Sequence, residues 1–380
     1  MGCHRRVKRN CMTNDTNHDT GNGIRNDCAN RAQHDMPATY ASSDAIPPDM
    51  HNTRGVQGMV GRLAESHRFI IMLRTIMAIT LIAMVLRMIP GGFGGRKYVP
   101  IVVALMPWFI IPTAAVAIIA FAIRQRALAV ICVVCIMVQV CWHWGFIVPT
   151  DRLSVRARLA VTQSELDTTD RYARIMTLNA KEGAADADHI VRMVRDEHVE
   201  VLALQEMTSE FIEKLKNAHI ETYLPYSQAS TMDGAYGNGL WSATPLADPV
   251  DDAVNSSASF MPGGTVDMGG QQIRFVSVHT TSPWQGDWRQ WKRSLDELGL
   301  KRADEGTRYV FMGDFNATMD HASMREFLGT RFHDAAYGSG HGFAFTAPAN
   351  LFAVPTLTAA DHVVVDSDMT AGQVQAKRVS

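Results

Sequence analysis

The stretch RYVFMGDFNATMD, residues 308–320, decides how the C-terminal half of this 380-residue chain is read. After Arg308 it runs Tyr, Val, Phe, Met, the composition of a strand buried on both faces. The run stops at Gly313, and Asp314 and Asn316 follow at once. Other runs repeat the pattern. ARIMTLN (173–179) ends on Asn179, VEVLALQ (199–205) is followed by Glu206, IRFVSVH (273–279) ends on His279, and HVVVD (362–366) is preceded by Asp361. Helical stretches at about 185–197 and 287–301 fall between these runs, so an α/β class is predicted. Strand ends in such a fold lie at one rim, where groups distant in sequence converge. Taken singly, each residue has a bland reading: a lone Glu after a strand is usually solvated, a lone His structural, an Asn a turn former. Their joint occurrence carries the weight.

Working outward, residues 1–68 are polar, lack an apolar period and are expected to be a disordered tail. Residues 69–149 are apolar and offer three stretches, at 69–89, 98–123 and 127–148, each long enough for a transmembrane helix of about 20 residues. Arg74 and Arg87 lie near the ends of the first, where their stems can snorkel. Arg62 and Arg68 precede it, and Arg124 and Arg126 separate the second from the third, so both clusters are expected on the cytoplasmic side. Three spans then place a linker at 150–170 and a catalytic domain at 171–380 outside a multi-pass cell-membrane anchor, although Arg96, Lys97, Arg152, Arg156 and Arg158 oppose that orientation. The competing reading, a buried hairpin in a soluble protein, would need a very large partner core. The spans carry no paired intramembrane acids, which argues against a transporter.

The formal net charge of -2 excludes a global basic field for nucleic acid. No cysteine follows residue 151, and no Cys/His zinc spacing occurs; Cys132 and Cys135 read as small apolar packing.

NAKEG, LALQEM, YGNGLWS, SVHTTSP, GDFNATMD and ADHVVVD, in this order, resemble the motif series of the endonuclease/exonuclease/phosphatase superfamily. The resemblance covers roughly residues 171–380, with GDFNA and the Gln-Glu pair its most specific pieces. It implies a deoxyribonuclease I-like four-layer α/β sandwich and hydrolysis of a phosphate ester by in-line attack of water. The same resemblance implies Mg²⁺ (or Mn²⁺) held by Glu206 with Asn179 as companion, a hard cation that takes few protein carboxylates. His279 then stabilises a non-bridging phosphate oxygen, Asp314 orients the attacking water, Asn316 holds the phosphate, and Asp361 supports the base and the metal environment. Asn238 matches a substrate-facing loop, with an ordinary turn residue as the competing reading. His362 reads as packing on its strand.

The substrate is left open between nucleic acid, a lipid headgroup and another phosphate ester; the bilayer is the expected partner, and no protein partner is inferred. Two departures stand out. The chain as given reaches Ser380 without a further Asp-His motif after HVVVD, so a last strand and general base are expected to be lacking, unless Asp361-His362 is itself the family's terminal pair, the competing reading. Trp241-Ser242-Ala243 stands where relatives have serine followed by arginine. The alternative is a catalytically inactive, membrane-bound binding or assembly protein on the same fold.

Overall fold

The computed structural model describes residues 59, 61–62, 66–94, 96–150, 152–163, 167–283, 287–349, 355–377 and 379. Arg54–Ser380 cluster as one unit, to which everything below belongs. The expected disordered tail lies outside the described residues except for a few positions near its end.

The apolar block folds into helices α1 (His67–Met88), α2 (Val99–Ala104), α3 (Ile110–Ala122) and α4 (Arg126–Trp142). Among the described residues, α1 is the one helix long and apolar enough to cross a bilayer. This corrects the expected three spans. The second stretch breaks at Leu105, where a 3-10 turn over Met106–Phe109, carrying Pro107, interrupts the α-helical ladder. Helix α4, formed by the third stretch, stops at Trp142 after 17 residues. Helices of that length reach about 25 Å, short of the roughly 30 Å hydrocarbon core. Counting spans therefore no longer places residue 151 onward outside. The helices pack on one another through Leu73, Met77, Met106, Val116, Ala120 and Cys132.

After α5 (Val155–Thr162) the chain alternates. Strands β1 (Ile175–Asn179), β2 (Val201–Gln205), β3 (Tyr226–Ser230) and β4 (Asn238–Ser242) form one sheet in the order β1-β2-β4-β3. Strands β5 (Ala247–Val250), β6 (Gly263–Met268), β7 (Gln271–His279), β8 (Arg308–Asp314), β9 (Phe332–Asp334) and β10 (Asp361–Asp366) form a second in the order β5-β6-β7-β8-β10-β9. The parallel pairs are β1 with β2 and β7 with β8, each joined by a crossover helix: α6 (Ala187–Asp196) for the first pair. Helix α7 (Ser209–Asn217) follows β2, and α8 (Trp288–Gly299) is the crossover of the second pair. Asp186 and Thr208 start α6 and α7 by accepting from the backbone N–H groups of His189 (3.0 Å) and Phe211 (3.2 Å).

The period of two along each strand divides the core. On β2, Val201 and Ala203 face Phe275, Val310 and Met312 of the second sheet, while Leu202 and Leu204 face Ile190, Phe211 and Leu215 on α6 and α7. On β8, Phe311 turns the other way, onto Trp291 and Leu295 of α8 and Phe327 of α9 (Ala322–Leu328). The result is helix, sheet, sheet, helix: the expected α/β sandwich with two facing sheets. A short helix α10 (Ala335–Ser339) follows β9.

Candidate active site

Two rungs, one in each sheet, carry the polar groups that end the apolar runs. In the second sheet Asp314 is paired with His279 on its parallel side and with Asp361 on its antiparallel side. In the first sheet Gln205 is paired with Asn179 and with Asn238, and Glu206 follows it. Asn179 joins the two sheets: its Nδ2 donates to Glu206 Oε1 at 2.8 Å and to Asp314 Oδ2 at 3.1 Å. His279 Nε2 lies 3.8 Å from the same Glu206 oxygen. Beneath them, buried Gln205 donates from Nε2 to Ser277 Oγ at 3.1 Å, fixing the sheets against each other.

Backbone geometry aims these side chains. Glu206 (φ 56) and Asn316 (φ 47) occupy the left-handed region, which non-glycine residues hold only where their surroundings over-determine it. Glu206 Oε2 accepts from the Glu182 N–H at 2.9 Å, and Asn179 Oδ1 from the Lys181 N–H at 2.8 Å. Asp314 Oδ1 accepts from the Asn316 N–H at 2.8 Å, and Asn316 Nδ2 donates to the Thr280 carbonyl at 3.0 Å. Gly313, at φ 153, has no room for a side chain, because a Cβ there would run into the Val278 carbonyl.

The crowding of carboxylates has an electrostatic cost. Burial, and then the neighbouring Asp314 charge, push Asp361 up to about 7. Burial pushes Asp314 up to about 6, with the Glu206 charge adding and the bonds from Asn316 and Asn179 opposing. Burial holds the His279 imidazole below its ordinary value against the charges of Glu206 and Asp361, so the ring is neutral near pH 7.

The donor set suits a hard cation. Glu206, Asp314 and Asp361 offer oxygens only, and Asp361 Oδ1 is buried without a hydrogen-bond partner. Among the described residues no group of three or more His, Cys, Asp or Glu closes around one point. Oxygen donors of this kind fit a hard divalent cation that takes few protein ligands.

Six of the sequence-predicted residues, Asn179, Glu206, His279, Asp314, Asn316 and Asp361, meet at this rim. Asn238 shares the rung but stands at the first position of β4, fully buried, not in a loop. Its Nδ2 donates to Ser259 Oγ at 3.0 Å and to the Phe260 carbonyl, and Ser259 Oγ donates to the His279 carbonyl at 2.7 Å. It therefore braces the strand end that bears His279. His362 does more than pack: its Nδ1 lies 2.7 Å from Asp334 Oδ2 and its Nε2 2.7 Å from the Ala317 carbonyl. Burial opposes the charged ring, yet the Asp334 carboxylate, the Ala317 carbonyl and the Asp361 charge together outweigh it and raise His362 to about 8. Sequence reading gave Gln205 no role of its own and passed over Thr280 and Thr346, the last of which accepts from the Asp361 N–H at 3.1 Å. Gln205 and Thr280 carried one signal, an amide or hydroxyl at or just after a strand end; Thr346, far from either strand in sequence, carried none.

The chain belongs to the endonuclease/exonuclease/phosphatase family, whose model matches residues 176–380. Members of that family are hydrolases of phosphate esters and commonly use divalent metals. The fold is similar to that of an endonuclease/exonuclease/phosphatase family protein from Leptotrichia buccalis C-1013-b, at 15% identity and TM-score 0.42, over 52% of this chain and 88% of that one. It is also similar to D. rerio TDP2 complexed with single strand DNA product, at 15% identity and TM-score 0.43, over 50% and 82% of the two chains. An AP endonuclease from Archaeoglobus fulgidus matches at 13% identity and TM-score 0.40, over 50% and 85%. No curated protein matches the chain by sequence.

Proposed function

We propose that this chain is a divalent-cation-dependent phosphoesterase held at a lipid bilayer. The observation that carries the reading is the Asn179 amide bridging Glu206 and Asp314 at the point where the two strand-end rungs meet. Glu206, with Asn179 beside it, would hold Mg²⁺ or Mn²⁺. When bound, the cation supplies Lewis-acid neutralisation of phosphate charge. The chain's own groups do the rest. His279, neutral through burial, donates a hydrogen bond to a non-bridging phosphate oxygen without bringing a second full charge into the site. The Asn316 amide, fixed by Thr280, holds another phosphate oxygen. Asp314 and Asp361, whose proton affinities burial brings near neutrality, accept the proton of the attacking water.

Two observations support the bilayer. Ile79, Ile82, Val85, Ile118, Phe121, Val130 and Met137 face outward from the helices, an apolar surface that water does not favour. Arg68, Arg124 and Arg126 sit at the helix ends remote from the sandwich, since α1 and α4 touch it through Arg87 and His143 at their other ends. On the positive-inside rule these charges favour an extracytoplasmic sandwich, against Arg96, Lys97, Arg152, Arg156 and Arg158 on its own side.

The test is hydrolysis by the full chain in detergent, with Mg²⁺ added back after chelation, of plasmid DNA, phospholipid vesicles and p-nitrophenyl phosphate. Turnover of one class only, dependent on the ion, supports the reading and names the ester. No turnover of any class, with the ion bound, favours a binding protein.

A further inference from the structure

The segment that continues the GDFN loop is gripped by the apolar helices. Asp320 is 2% exposed, and its Oδ1 accepts from Arg87 Nε at 2.5 Å. Its other oxygen lies 3.1 Å from His143 Nε2. Arg87 is itself held flat over the Trp142 ring, 4.1 Å from the centroid. The next residue makes a second attachment. His321 Nδ1 accepts from the Thr318 N–H at 2.7 Å, so its proton lies on Nε2, which donates to the Pro100 carbonyl at 2.8 Å. Burial drives His321 down to about 4, in keeping with that neutral tautomer. Two further bonds follow along α9. Arg325 Nη2 donates to the Arg87 carbonyl at 2.9 Å, and Glu326 Oε1 accepts from the Gly91 N–H at 2.7 Å.

These contacts bear on the site because the gripped segment begins two residues after Asn316. Asn316 holds a left-handed backbone, which asparagine enters more readily than most residues but which its surroundings must still fix. On one side it is fixed by Asp314 and Thr280. On the other side, His362 meets the Ala317 carbonyl at 2.7 Å and Arg325 donates to the Met319 carbonyl at 3.0 Å, and the helices add a grip on the side chains of Asp320 and His321. Asp320 is buried and paired, so removing a partner leaves an uncompensated buried charge and weakens the anchor strongly.

We infer that the apolar helices are a positioning device for the catalytic loop, with Arg87, His143 and Pro100 gripping Asp320 and His321 and thereby holding Asp314 and Asn316 in place. Asp320 is a positioning residue, not a catalytic one. The consequence for turnover rests on the phosphoesterase reading; the consequence for loop order does not.

The experiment is amide hydrogen exchange on the full chain in detergent micelles, comparing wild type with D320N, R87M and R87K, alongside turnover of bis(p-nitrophenyl) phosphate with Mg²⁺. In D320N and R87M the amides of residues 315–318 are expected to exchange at least about tenfold faster, while those of Val201–Gln205 keep their wild-type rates. R87K, which keeps the cation but loses the Nε donor and the guanidinium over Trp142, is expected to exchange at a rate between wild type and R87M. Where wild type turns over, kcat falls about tenfold with KM within about twofold, the mark of lost positioning rather than lost binding. Unchanged exchange at 315–318 in both D320N and R87M overturns the inference. So does a rise shared equally by Val201–Gln205, which would make the pair a purely structural one. If D320N does not fold, R87M against R87K decides. An inactive wild type overturns the phosphoesterase reading alone, and the exchange data still judge the anchor.

Discussion

Asp314 and Asp361 face each other directly across the antiparallel pair β8 and β10, and both carboxyls are pushed toward neutrality by burial and by the charges around them. Burial and like charge raise both proton affinities, the condition under which a carboxylate works as a base near pH 7. Asp361→Asn removes one member without changing its shape. The expected outcome is a fall in kcat of about 10²-fold or more. Thermal unfolding should be unharmed or improved, because one of two repelling buried acids is gone. Steady-state kinetics and a melting curve on the same preparation check both parts; full activity would remove Asp361 from the chemistry.

Asn179 stands between Glu206 and Asp314 and donates to both. Asn179→Ala leaves the two carboxylates unbridged and Glu206 less well aimed. Half-saturating Mg²⁺ should rise roughly tenfold or more, the scale expected when a group orienting a metal ligand is lost. Isothermal titration with Mg²⁺ in the absence of substrate reads this directly, and an unchanged affinity would show that Asn179 has no part in holding the ion.

His362 gives a pH dependence of stability with a definite sign. Its folded value, about 8, lies above the ordinary 6.5, because Asp334 favours the charged ring. A group raised on folding contributes stability that is fully present below the ordinary value and is lost as pH rises through the folded one. The contribution is about 2 kcal/mol. Urea midpoints should therefore drop between pH 6 and pH 9 by more in wild type than in His362→Gln. Equal pH slopes in the two proteins would contradict the buried Asp334–His362 ion pair.

Gly313 admits no side chain, so Gly313→Ala must push β8 away from β7 just before Asp314. A loss of at least about 2 kcal/mol in stability is expected, with activity lost alongside. A chemical denaturation curve measures it; a neutral substitution would mean that the strands part more easily than their register implies.

Much of the rim was legible in the sequence because each of its residues directly adjoins an apolar run. Asn179, Glu206, His279, Asp314 and Asp361 are all placed by where a strand ends, a local property. What the sequence hid depends on distant partners. Asp320 looked like one more loop acid, since Arg87 lies 233 residues away. His362 looked like packing because Asp334, 28 residues off, carried no sign of facing it. Asn238 was misplaced into a loop because a strand opening with Asn-Gly has the composition of a turn. The span count failed for another reason. Hydropathy reports transfer to lipid and is blind to helix continuity, so the break at Leu105 and the 3-10 turn carrying Pro107 left no trace in the apolar pattern.

The central claim is that Glu206 holds a cation on which phosphate-ester cleavage depends. The most direct measurement is Mg²⁺-dependent hydrolysis of bis(p-nitrophenyl) phosphate by the full chain in detergent, wild type against Glu206→Gln, with Mg²⁺ affinity measured on both. The expected result is turnover in wild type that chelation abolishes and Mg²⁺ restores, with turnover and ion affinity both lost in the variant at an unchanged unfolding midpoint. Equal Mg²⁺ affinity and equal turnover in the two proteins would contradict the claim.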